Sequence, residues 1–333
     1  MYNNLLTSQL EVWEMARNNF EALKEVKTKT LQVNNCTFQV QFNPARIVSS
    51  SAKVDAKSIQ ERKCFLCAEN RPEVQEGVLF ESKNRINADK GSISPTRTEQ
   101  GRSVGGSKGG SYTILINPFP IFPKHYTIPD NEHLLQLIKG RFGDMLELAE
   151  TMNDSVIFDN GPRCGASAPD HIHFQAGNKG FLPVEMEWKK HKGDTVWKSS
   201  SAEIAAFNYV YPAFLIEAES IVAGNEAFER IYNILEIKEG EEEPMLNILS
   251  WYEDKKWISL IIPRSQHRPA RYFAEGEEKM MISPASVDLG GVFITPVEKD
   301  FERISAEDIK GILSEICLSE EQFRTISNKL TEK

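Results

Sequence analysis

The run His171-Ile172-His173-Phe174-Gln175-Ala176 places three polar heads at alternate positions. On an extended strand successive side chains point to opposite faces, so His171, His173 and Gln175 share one face and Ile172, Phe174 and Ala176 the other. The apolar set can anchor in a core while the polar set lines a pocket. A neutral imidazole can attack phosphorus and then leave, which splits one hard transfer into two easier ones. That is the chemistry the pattern offers His173. Gln175 cannot donate a proton as an acid would, but its amide can hydrogen-bond a phosphoryl oxygen. Such a residue suits a leaving group already stable as an anion. An isolated H-x-H also matches two structural histidines on an edge strand, and short motifs of this kind occur by chance.

The context is the pair Cys64-Phe65-Leu66-Cys67. C-x-x-C spacing suits tetrahedral zinc, and taken alone it equally suits a redox pair or two buried thiols. Zinc needs two further ligands, for which His125 and His171 are candidates. A closed Cys2His2 site would pin the His171 segment and, through it, its neighbour His173. Cys36, Cys164 and Cys317 have no partner at ligand spacing and read as buried thiols.

These residues need elements to hold them. Leu6, Leu10, Trp13, Ala16, Phe20 and Leu23 recur at helical spacing and predict an opening amphipathic helix. Two short strands follow around Asn34-Asn35, with Phe38, Val40 and Phe42 alternating on the second. Residues 84–110 are polar, rich in Gly and Ser and without period, and read as a long mobile loop. Order returns with a strand at 112–117, a helix from about 131 to 152, a strand at 155–159 ending in the Asn160-Gly161 turn, and the histidine strand at 171–176. MLNILSWYED and KKWISLIIP predict a hairpin, followed by SQHRPARYF, and two helices close the chain at about 306–317 and 319–331. Strands and helices mix without strict alternation, which favours α+β. The second half repeats the first weakly, so a degenerate duplication is expected, with residues 1–186 as the half carrying the zinc site and histidine strand and 187–333 as the degenerate half.

The chain has 333 residues and is 40% hydrophobic, slightly more than one core usually holds. A net charge of -9 excludes a general attraction to nucleic acid or anionic membrane. The N-terminus lacks a signal-peptide pattern, and the most apolar stretch, 205–224, is broken by Asn208, Pro212, Glu217 and Glu219. Five cysteines do not read as a disulfide framework. The expectation is a cytoplasmic, reduced protein.

CFLCAEN (64–70), FPKHYTIPD and DHIHFQAG resemble the corresponding segments of galactose-1-phosphate uridylyltransferases, in the histidine-triad superfamily of nucleotidyltransferases. The resemblance implies structural zinc on Cys64, Cys67, His125 and His171, the nucleophile at His173 and the phosphate-contacting glutamine at Gln175. It also implies antiparallel histidine-triad-like sheets with flanking helices. HIHFQAGNKGFLPVE and the tail SPASVDLGGVFITPVEKDFERISAEDIKGILSEICLSEEQF resemble plant GDP-L-galactose phosphorylases. Asp170 stands where these families carry Asn or Pro, and Ala168 where Ser or Thr is common. The 84–110 insert has no counterpart in either.

Both resemblances imply transfer of a nucleoside monophosphate through a covalent nucleotidyl-histidine. The donor would be a GDP- or UDP-hexose, and the acceptor phosphate or a hexose 1-phosphate, in carbohydrate metabolism. Arg46 in FNPARI, Ser167 ahead of the histidine strand, and Arg264 and Arg268 after the second hairpin are candidate substrate contacts. His267 and Arg271 belong to that same basic turn, which reads equally as a solvated surface. GRSVGGSK (101–108) fails as a P-loop, because Ser107 separates the last Gly from Lys and no apolar strand leads in. His133 and His191 read as surface residues. A homodimer is compatible with the family. The competing readings are a dinucleoside polyphosphate (Ap4A-type) phosphorylase and an inactive zinc-stabilised nucleotide-binding protein.

Overall fold

The computed structural model describes residues 2, 4–52, 54–83 and 110–331. The loop expected over 84–110 and the P-loop-like 101–108 lie outside these residues except for Gly110. Thirteen strands are described: β1 (Lys27–Val33), β2 (Cys36–Phe42), β3 (Gly77–Glu81), β4 (Ser111–Ile116), β5 (His125–Pro129), β6 (Ser155–Asn160), β7 (His173–Asn178), β8 (Lys192–Lys198), β9 (Ala202–Asn208), β10 (Pro212–Ala218), β11 (Leu246–Glu253), β12 (Lys256–Pro263) and β13 (Val292–Thr295). Ten of them form one sheet in the order β3-β4-β5-β7-β6-β11-β12-β10-β9-β8, with every pairing antiparallel. A three-stranded sheet, β1-β2-β13, adds the one parallel pairing among the described strands, β2 with β13. The architecture is α+β, with large antiparallel sheets and flanking helices.

Along the chain three strands, a helix and two strands occur twice: β3 to β5, the helix Phe142–Thr151, β6 and β7; then β8 to β10, the helix Ile221–Tyr232, β11 and β12. The two runs meet in the β6–β11 ladder and form one continuous sheet. Their helices pack on the same face, where the Phe142 and Phe228 rings stack at 4.2 Å. Alternation along β6 and β7 sends Ile157, Phe174 and Ala176 into that helix-covered layer. Val156 and Phe158 join a second layer containing the small sheet and the helix Ala306–Ile316. Among the described residues no helix is long and apolar enough to cross a membrane.

Three local differences from the sequence reading bear on the site. The opening helix is interrupted at Trp13, whose backbone is extended at φ -106°, ψ 91°, between Leu5–Val12 and Glu14–Lys24. The break leaves Trp13 buried and on the wall of the main cavity. The strand expected from 171 begins at His173. The helix expected from about 131 begins only at Phe142, after Gly140 takes φ +74°. A positive φ is incompatible with a continuing right-handed helix. Residues 131–141 are therefore irregular, and their side chains and carbonyls reach across to the histidine segment.

Candidate active site and metal centre

Burial and hydrogen bonding fix the protonation of His125 and His173. His173 is buried at the start of β7, and its Nδ1 lies 2.8 Å from the His171 carbonyl. A carbonyl only accepts, so Nδ1 carries the proton and Nε2 keeps its lone pair. Burial pushes the His173 pKa down to about 4, so the ring is neutral near pH 7. Gln175 lies directly opposite Phe158 on β6, and both side chains line the same cavity as His173.

His125 has a different place from the one expected. Its Nδ1 accepts from the Ile121 amide at 3.1 Å, and its Nε2 lies 3.2 Å from Gln175 Oε1. Burial pushes its pKa down to about 3. The ring is therefore neutral with its proton on Nε2, and it donates to Gln175. With Oε1 engaged, the Gln175 NH2 group is left for a ligand in the cavity. His125 is thus not brought to the cysteines. Both its ring nitrogens are spent inside the first half, because β5 pairs His125 with Gly177, two residues beyond Gln175.

The fourth position beside the cysteines belongs to His133. The ligand atoms of Cys64, Cys67, His133 and His171 all lie within 4.8 Å of one another. His171 Nδ1 is 3.3 Å from Cys64 Sγ and 3.5 Å from Cys67 Sγ, and His133 Nδ1 is 3.1 Å from Cys67 Sγ. Ligands at Zn–S and Zn–N distances of ~2.3 and ~2.0 Å on a tetrahedron stand ~3.5 Å apart, so the four donors are spaced for such an ion. The outer contacts agree. His171 Nε2 donates to the Asp130 carbonyl at 2.8 Å, freeing Nδ1 as a ligand, and His133 Nε2 is 4.0 Å from Asp170. Asp170 also pairs with Arg62 at 2.5 Å, and Ala168 packs in a small cluster with Cys64 and Leu66. Both departures from the family pattern thus support the Cys/His centre. His133, exposed and distant in sequence from the cysteines, carried no signal that separated it from a surface residue.

The cavity holds about 610 Å³ and draws on both halves of the chain. Arg46, Arg62, Ser167, His173 and Gln175 line it from the first part of the chain. His267, Arg268 and Asp288, from later in the chain, line it too, with Asp288 close enough to Arg46 for their charges to interact. Arg46 donates to the Phe119 carbonyl at 2.8 Å, and burial lowers its pKa only to about 10, so it stays charged. Arg268 donates to Ser283 Oγ and the Ala52 carbonyl and lies over the Tyr272 ring at 4.2 Å. Asp288 is the one acidic residue on the wall among the described residues, and its carboxylate accepts the Ala285 and Ile294 amides. His267 is held neutral by burial and by neighbouring Arg268, its pKa pushed down to about 3.

Arg264 does not reach this wall. It is 3% exposed, and its guanidinium donates to Asn247 Oδ1 and to the carbonyls of Pro284, Ile316, Gln266 and His267. The turn out of β12 points it inward, where it ties the 266–268 and 284–286 segments together. Its expected role as a substrate contact is corrected to a structural one. The sequence also missed Gln136, Asn160 and Asp288, single polar residues whose burial only the fold creates.

Fold and site together define an α+β sheet protein in which His173, neutral and with a free Nε2, and an oriented glutamine face a cavity lined by arginines. The chain belongs to the DUF4922 family, a domain of unknown function, whose model matches residues 5–97 and 96–178. Residues 199–333 match the GDPGP1-like C-terminal domain, across the tail that resembles the phosphorylases. No curated protein matches the chain. Among solved structures it is similar to yeast Ap4A phosphorylase Apa2, at 16% identity over 92% of this chain and 94% of that one, with a TM-score of 0.48. The same enzyme in complex with Ap4A gives 16% identity, coverage of 92% and 97%, and a TM-score of 0.49. A DUF4931 family protein from Bacillus cereus ATCC 10987 gives 17% identity, coverage of 55% and 94%, and a TM-score of 0.36.

Proposed function

We propose that the protein is a nucleotidyltransferase that passes a nucleoside monophosphate through a covalent nucleotidyl-His173. The observation that carries this reading is the His173 tautomer, with Nδ1–H on a carbonyl and an unprotonated Nε2 on a ring that lines the cavity. Nε2 attacks the phosphorus, the P–O bond to the leaving group breaks, and an acceptor oxygen then displaces the histidine. The Gln175 NH2 group, oriented by His125, would hold a non-bridging oxygen while charge reorganises. Arg46 and Arg268 make no salt bridge among the described residues, Asp288 being the one acidic group whose charge acts on Arg46, and they give an acidic chain a local anion site, with Ser167 also in the lining. The donor in this reading is a nucleoside diphosphate hexose and the acceptor phosphate or a hexose 1-phosphate. Zinc fits Cys64, Cys67, His133 and His171 as a closed structural ion that anchors the segment before His173. The repeated element order supports residues 1–186 and 187–333 as two halves of a duplicated fold.

The test is single-turnover labelling with GDP- and UDP-hexoses and with dinucleoside polyphosphates, each with and without phosphate. His173→Ala should fold and take up no label, and initial rates should be ping-pong. Turnover by His173→Ala at the rate of the unsubstituted protein would end this reading.

A further inference from the structure

Where β6 and β7 part, the backbone of His173 loses its strand partner. The β6–β7 ladder ends at Phe158 opposite Gln175, so His173 has no partner on β6, whose Asn160 continues only the ladder with β11 on the opposite edge. On the other side His173 faces Pro129, which has no N–H to give. Buried backbone groups left in such a gap need another partner.

Gln136 fills the gap with its side chain. Its Oε1 accepts the His173 N–H at 2.9 Å, and its Nε2 donates to the His173 carbonyl at 3.2 Å. One amide thus copies the donor and acceptor of a missing strand residue. The direction of that amide is set by Asp159, whose Oδ1 accepts from the same Nε2 at 2.8 Å. Asp159 Oδ1 accepts both as a carboxylate and, with the proton on the unpartnered Oδ2, as a carbonyl oxygen, so Nε2 faces Asp159 and Oε1 faces the His173 N–H. Gln136 and Asp159 are each 1% exposed, which keeps water from competing for these bonds. The same segment is fixed further by Ile172 N–H on the Leu134 carbonyl and by the Gln136 N–H on the Pro169 carbonyl.

We infer that Gln136, oriented by Asp159, is a positioning residue for the nucleophile. It holds the His173 backbone at the point where the diverging strands open the cavity, so that the ring reaches phosphorus from one fixed place. Neither residue touches the cavity, and their effect passes through His173. The inference rests on the reading of His173 as the nucleophile.

The experiment uses the metal-loaded full chain and three variants. Gln136→Met keeps the length and volume of the side chain without its hydrogen bonds. Asp159→Leu removes only the acceptor that orients the amide, and Asp159→Asn restores an acceptor. Hydrogen exchange of the His173 amide is measured beside the single-turnover rate of His173 labelling and the substrate concentration at half-saturation. Gln136→Met should expose the His173 amide to faster exchange and slow labelling by up to ~10²-fold, the scale of a ~1 Å misplacement, with half-saturation nearly unchanged. Asp159→Leu should act in the same direction, and Asp159→Asn should stay near the unsubstituted rate. Faster amide exchange with an unchanged labelling rate would overturn the inference, as would a loss confined to half-saturation. If Gln136→Met does not fold, labelling by Asp159→Leu at full rate overturns it. Complete absence of labelling in the unsubstituted protein would remove the covalent reading itself and the inference with it. The two failures are therefore distinguishable.

Discussion

Replacing His125 by Phe separates two roles that the sequence leaves together. The phenyl ring keeps the packing of His125 against Phe122 and Phe158, whose ring centroids lie 5.3 and 6.0 Å away, and removes both nitrogens. The enclosed Ile121 amide loses its acceptor, a cost of about 1–3 kcal/mol. In a chain of this size that lowers Tm by roughly 2–12 °C, at ~2–4 °C per kcal/mol. Gln175 Oε1 loses the nearer of its two donors, keeps Asn117 Nδ2 at 3.5 Å, and borders the cavity, where water can replace the lost one. The lost bias on the amide is one net hydrogen bond, about 1 kcal/mol or roughly fivefold in orientation. Labelling of His173 should therefore slow by only ~2–10-fold, whereas Gln175→Ala should slow it by up to ~10²–10³-fold. Metal content, read by elemental analysis of the purified protein, should be unchanged in His125→Phe and fall in His133→Ala. The opposite pattern, metal lost with His125 and kept without His133, would refute the ligand set and the donor role of His125 together.

Two further outcomes follow from buried charge. Arg264→Met should destabilise more than Arg268→Met, because it removes five hydrogen bonds, three of them buried, against two part-buried ones, whereas Arg268→Met should weaken donor binding. Equal Tm losses in thermal melts would contradict this division. Burial pushes the Asp159 carboxyl up to about 7, so between pH 4 and 7 the folded chain keeps a proton that the unfolded chain has released. Stability from this group is therefore fully present below pH 4 and lost as pH rises towards 7. Asp159→Asn should gain on the parent across that window by up to about 4 kcal/mol. Parallel urea-derived stability curves for the two proteins from pH 4 to 7 would show the assignment of this proton to be wrong.

The elements legible in the sequence were those made by local contacts. The β1–β2 hairpin closes at Asn34, with φ 55°, and the β11–β12 hairpin at Asp254 and Lys255, with φ 51° and 64°. Both could be read because alternation and turn residues act over a few positions. Cys64 and Cys67 could be grouped by type and spacing, and thiolates with imidazoles point to one kind of ion, but of the two histidines named beside them only His171 lies there. What the sequence could not decide was which distant residue completes each arrangement.

The helical pattern over 131–141 concealed that choice. Gly140 turns the chain, and the freed segment delivers His133 to the cysteines and Gln136 to His173. Arg264 and Arg268 are four positions apart and alike in type, yet one is enclosed by carbonyls and the other lines the cavity. Their difference arises from the direction in which the chain leaves β12. Side-chain type and periodicity are properties of neighbours along the chain and are present before folding. A tautomer, an amide orientation or a fourth ligand depends on groups such as Ile121, Asp159 and Cys67, which only the packed sheet brings within hydrogen-bonding distance.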